Sequence, residues 1–146
     1  MTTLSAANSQ TATLAKGRKG AVGTVDLLRA LMALFAFDLV LSFGGFGKLY
    51  RLVKRWSVRG VPARAERTRE VCDAVDRACT IYPKHALCLQ RSAVTACLLR
   101  REGVDARMII GCRKLPFMGH AWVEVDDQVV NDGAQVKHLY AQLDWC

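Results

Sequence analysis

The sequence lacks the usual arrangements for holding zinc. No Cys-x-x-Cys pair occurs, and the three histidines, His85, His120 and His138, are not spaced as ligands. Neither a metal nor a cofactor is expected. Acidic residues are scarce as well: 13 Asp and Glu stand against 21 Lys and Arg, a formal net charge of +8. That balance favours an acidic partner, either an anionic membrane surface or an acidic peptide. Nucleic acid is not expected, because helix-turn-helix, zinc-finger and aromatic RNA-binding patterns are missing. Nothing near the amino terminus reads as a cleavable signal. Arg29 and Asp38 break the one long apolar run, and no small-x-small site follows it. Without export, Cys72, Cys79, Cys88, Cys97, Cys112 and Cys146 point to a reducing cytoplasm rather than a disulfide framework.

What is present suffices for one catalytic-sized core. A chain of 146 residues buries about two-thirds of its unfolded surface. Its 51% hydrophobic content and mean hydropathy of +0.11 are high for a soluble domain. Residues 1–22, rich in Ser, Thr, Asn, Gln and Ala, read as a disordered tail. Residues 23–62 form an apolar and basic helical region, and 63–146 form the core. Within the first, residues 25–46 read as a helix ended by Gly44-Gly45 and Gly47. Apolar groups lie on nearly all its sides. Three readings are open: a helix docked in the protein, a helix docked on a membrane or partner, and a spanning anchor. Against the last, Asp26, Arg29 and Asp38 each cost about 2.5–3.5 kcal/mol near mid-bilayer. Residues 48–69 carry Lys48, Arg51, Lys54, Arg55, Arg59, Arg64, Arg67 and Arg69, relieved only by Glu66. They form either a solvated helix face with a linker or a docking surface.

The core begins with a helix expected from Ala63 to Thr80, with Pro62 near its first turn and Pro83 beyond its end. Val71, Cys72, Val75, Ala78 and Cys79 make its apolar stripe, so Cys72 and Cys79 read as small core residues. A second helix runs from Cys88 to about Arg101 and closes at Gly103. Cys88 stands in its first turn, where free amides and the positive end of the helix dipole favour a thiolate. Taken alone, it reads first as another small core residue. Three extended stretches follow: Asp105–Arg113 and His120–Val125, separated by a Pro116–Gly119 loop, then Gln128–Asp132 after an Asp126-Asp127 turn. A central helix followed by a small antiparallel sheet, behind N-terminal helices, is an α+β arrangement.

The order cysteine at a helix start, histidine at a strand start, aspartate after the next strand is the order of papain- and transglutaminase-like cysteine enzymes. In that chemistry Cys88 attacks a carbonyl, His120 moves the proton, and Asp132 holds the imidazole. The register decides whether they meet. A two-residue loop would pair Asp132 with Ala121, on the wrong face. A three-residue loop of 125–127 pairs His120 with Asp132, and is therefore expected. The Cys88 amide is a natural oxyanion donor. Gln90 is a weak second candidate, because it points away from the helix start.

These residues resemble one family closely. Cys88-Leu-Gln-Arg-Ser92, Leu98-Leu-Arg-Arg-Glu-Gly103, Ile110-Gly-Cys-Arg113, Pro116-Phe-Met-Gly-His-Ala-Trp-Val-Glu124 and Val129-Val-Asn-Asp132 look like the stand-alone lasso peptide leader peptidases of the transglutaminase-like superfamily. The match is strong over about 70–140 and general in character over 25–69. It departs at the hairpin, where the usual Asp-Gly turn is Asp126-Asp127. The resemblance implies a cytoplasmic cysteine protease, Cys88, His120 and Asp132 as its triad, and a lasso precursor as substrate. It also implies a separate leader-recognition protein, for which residues 25–69 are the candidate docking surface, and an ATP-dependent cyclase acting afterwards. Two readings compete: an acyl-transferring transglutaminase, and a non-catalytic basic peptide-binding module.

Overall fold

The structure, a computed structural model, describes residues 23–61 and 65–146. The expected tail, and the helix start near Pro62 and Ala63, lie outside the described residues. Helix α1 spans Thr24–Arg55 and is broken at Gly45, whose φ of 66° and ψ of −177° suit glycine. The glycines therefore interrupt the helix, as their pattern implies, but the chain resumes helical geometry through the basic segment to Arg55. One face of α1 buries Ala30, Leu34, Phe37, Leu49 and Val53. The other leaves Val25, Leu28, Met32, Phe35, Leu39, Phe43 and Phe46 exposed. The docked-helix reading thus holds for one side only.

The two acids of α1 turn inward. Arg67 donates to both Asp26 oxygens at 2.7 and 2.8 Å, and to Glu102 at 3.2 Å. This guanidinium belongs to an internal clamp and not to a free basic patch. Asp38 accepts from Lys84 at 2.7 Å and from the Gln90 amide at 2.9 Å. These bonds hold both carboxyls below the usual carboxylate range.

Helices α2 (Ala65–Ile81) and α3 (Cys88–Arg101) pack against α1 in one apolar cluster. Cys72 lies in the core with Val71, Val75 and Ala78, while Cys79 is half-buried. At its far end α3 buries Arg100, which donates to Ala106 O at 2.7 Å, Val53 O at 2.6 Å and Trp56 O at 3.1 Å. One guanidinium so satisfies the last carbonyls of α1 and the first of the sheet.

The sheet contains β1 (Ala106–Lys114), β2 (Phe117–Val125), β3 (Gln128–Val129) and β4 (Ala141–Trp145), all antiparallel in the order β3-β2-β1-β4. The expected Pro116–Gly119 loop is mostly strand. Lys114 pairs with Phe117, so only Leu115 and Pro116 turn the chain. Ala106, Met108 and Val123 face the helical core. Ile109 and Trp122 face the other way, beneath Val136 of the short helix α4 (Val136–Leu139). Alternation along β2 therefore places His120 and Trp122 on one face, as the pattern implies.

Candidate active site

The hairpin register differs from the expected one. Val125 pairs with Gln128 and Glu124 with Val129, so the loop is the two residues Asp126 and Asp127. Their φ angles of 49° and 59° form a tight turn with both central residues left-handed, which matches the twist of the flanking strands. Aspartate tolerates that region better than most residues. Continued regularly, this register would set Asp132 opposite Ala121 and away from His120.

The ladder does not continue. The Val130 amide donates to Val123 O at 3.0 Å, but the Val123 amide donates to the Asn131 side chain, at 2.7 Å. Asn131 Nδ2 donates to Ser92 Oγ at 3.0 Å, and Ser92 Oγ donates to Ala121 O at 2.9 Å. Two buried side chains, one from α3, stand where a third strand would have supplied backbone. The edge of β2 is satisfied, and β3 is released after two residues. The chain then turns away and brings Asp132 Oδ2 to 2.7 Å from His120 Nε2. The expected contact forms by strand termination rather than by a bulged loop.

Partial burial pushes the Asp132 carboxyl upward, but bonds from His120 and from the Gly133 amide, 2.7 Å from Oδ1, outweigh it. The carboxyl lies below its ordinary value and is ionised at neutral pH. With Nε2 committed to Asp132, Nδ1 is the ring nitrogen left for a second partner. The imidazole stacks on Tyr140, centroids 5.0 Å apart, and more distantly on Trp122 at 6.3 Å. Trp122 lies across Gly111, where an added Cβ would come within 2.8 Å of the indole and 3.0 Å of Ala141 O. Its Nε1–H donates to the buried Glu124 carboxylate at 2.8 Å, which Lys137 meets at 3.2 Å. The sequence reading missed this aromatic support. Tyr140 lies beyond the motif, while the glycine of Ile110-Gly-Cys-Arg113 was its one visible trace.

Cys88 is the first residue of α3 and is half-buried. The residue before it, Leu87, offers no side-chain acceptor, so the amides of the first turn keep no intrahelical partner. Gln90 is otherwise engaged: its Oε1 accepts the Leu87 amide at 3.0 Å and its amide holds Asp38. It is no oxyanion donor in this geometry. Cys88 lies one helical turn before Ser92, which is bonded to the residue next to His120. Among the described residues, hydrogen bonding joins His120 to Asp132 and does not include the Cys88 thiol. Burial pushes the Cys72 and Cys97 thiols up to about 12 and that of Cys146 to about 11.

This α+β core, helices packed on a small antiparallel sheet, is the architecture of transglutaminase-like proteins. The Transglutaminase-like superfamily pattern matches residues 33–143, well over half the chain, and the protein belongs to that superfamily. Over 50 residues it is 40% identical to the Microcin J25-processing protein McjB of Escherichia coli. That stretch covers 34% of this chain and 24% of McjB, so the chain spans only a fraction of that relative. No solved structure matches. Both findings bear out the family resemblance read from residues 88–132.

Proposed function

We propose that this protein is a cysteine peptidase that removes the leader from a ribosomally made lasso peptide precursor. The observation that carries the reading is the 2.7 Å His120–Asp132 bond beside a helix that begins at Cys88. Similarity to a microcin-processing protein supports the substrate class.

In the first step His120 Nδ1 takes the thiol proton and Cys88 Sγ attacks the carbonyl carbon of the scissile bond. The Cys88 amide faces the developing oxyanion. Collapse breaks the C–N bond, and the imidazolium delivers its proton to the leaving amine. Water then attacks the thioester as His120 takes its proton, and the free acid and thiol are restored. Asp132 keeps a proton on Nε2 and stabilises the imidazolium in both steps. No metal or cofactor enters. In this reading the enzyme works in the cytoplasm with a separate leader-recognition protein and ahead of an ATP-dependent cyclase.

The test is the intact mass of a precursor incubated with the protein and its recognition partner, with Cys88→Ala as control. Cleavage at one leader–core bond, absent in the variant, is the expected result. A product heavier by an amine rather than by water would assign acyl transfer instead. An uncut precursor with folded protein would leave a binding role.

A further inference from the structure

The outer face of α1 is apolar over its whole first segment. Met32 is 63% exposed, Phe35 53% and Phe43 84%, in line with Val25, Leu28, Leu39 and Phe46. The stripe is about 30 Å long at the helical rise per residue. Apart from Arg29, no charged side chain interrupts it between Val25 and Phe46. The only acids from Val25 to Val61 are Asp26 and Asp38, and both are turned inward and paired with cations. Beyond the Gly45 break, Lys48, Arg51, Lys54 and Arg55 are all exposed. Trp56 follows, also partly bare.

We infer that α1 lies flat on an anionic membrane surface, its apolar stripe at the acyl boundary and its second segment against lipid headgroups. Charge complementarity selects this occupant. A second copy of the chain would match the stripe, but its own α1 offers no unpaired acid to these cations. A spanning helix is excluded by the other face: Ala30, Leu34 and Phe37 are core residues, and the Asp26 and Asp38 pairs tie α1 to α2 and α3. An interfacial helix needs a bulky apolar face, cations for the headgroups, and no uncompensated acid. α1 meets all three while staying folded against its own core. Attachment of this kind stands whether or not the peptidase reading does.

The test is co-sedimentation of the full chain with vesicles of phosphatidylcholine alone and of phosphatidylcholine with phosphatidylglycerol. Binding should be stronger to the anionic vesicles by roughly tenfold or more and should fall with salt. Phe35→Gln with Phe43→Gln should abolish it with little change in melting temperature, since Phe43 is mostly and Phe35 about half exposed. Lys48→Glu with Arg51→Glu should remove the preference for anionic lipid. Wild-type protein that stays in solution with both vesicles would overturn the proposal and leave the stripe to a protein partner. Binding that survives the phenylalanine changes would overturn the assignment to α1. Concentration-dependent dimerisation lost in the phenylalanine variant would overturn it in favour of self-association.

Discussion

The start of α3 and the outer face of α1 are finished in opposite ways. Around α3, polar groups from three segments close on one another: Ser92 with Ala121, Asn131 with Val123 and Ser92, Asp132 with His120 and Gly133. Along α1, seven large apolar side chains from Val25 to Phe46 are exposed to water. The first region is specified by directional bonds that tolerate little displacement. The second is specified only by shape and hydrophobicity, which suits a soft or fluid partner. One surface is built to hold atoms in place, and the other to be covered.

Substitutions sharpen that contrast. On the proposed peptidase reading, the largest effect should come from His120→Ala, which would remove the proton carrier and slow precursor cleavage by roughly 10²–10⁴-fold in single-turnover assays. Next is a pair on one helix. Leu34→Ala, on the buried face of α1, should cost about 2–5 kcal/mol in urea unfolding. Phe43→Ala, on its bare face, should change stability by no more than about 0.5 kcal/mol. Equal losses would mean the two faces are not distinct. Asn131→Ala should cost about 1–3 kcal/mol, because the buried Val123 amide loses its acceptor. It should also slow cleavage, as Asp132 loses the turn that delivers it. Retained turnover with lowered stability would confine Asn131 to the fold.

Acid gives the smallest effect. Hydrogen bonds from Arg67 hold Asp26 below its ordinary value of 3.8, and Asp132 is likewise lowered. Carboxyls with depressed folded pKa values stabilise fully above the unfolded value and lose that contribution as pH falls through the folded one. These groups should therefore contribute in full, and leave the urea midpoint unchanged, between pH 7 and 5, and the midpoint should drop below about pH 3.8. Asp26→Asn should lower the midpoint at neutral pH and flatten the acid limb.

Much of this was legible in the residues. The helix at Cys88, the alternation of Ala121, Trp122 and Val123, and the Asp126-Asp127 turn all follow from periodicity and turn chemistry. The hairpin register did not: the longer loop was expected because a regular ladder needs it to bring Asp132 to His120, and nothing local shows that Asn131 and Ser92, some forty positions apart, end that ladder early. Strand β4 gave no signal: its five side chains are all exposed, so no apolar alternation marks it. Arg67 looked like one charge of a basic run. Only the return of α2 to the start of α1 turns it into a clamp on Asp26.

Helix α1 is fastened to α3 at both ends, by Asp38 on Gln90 near Cys88 and by the Val53 and Trp56 carbonyls on Arg100. Gln90 also caps the turn that carries Cys88. The helix that would rest on a bilayer is thus the scaffold that sets the pitch of the helix beginning at Cys88. Reciprocity follows: by whatever factor adsorption of α1 changes affinity for a peptide at Cys88, peptide changes the adsorption by the same factor.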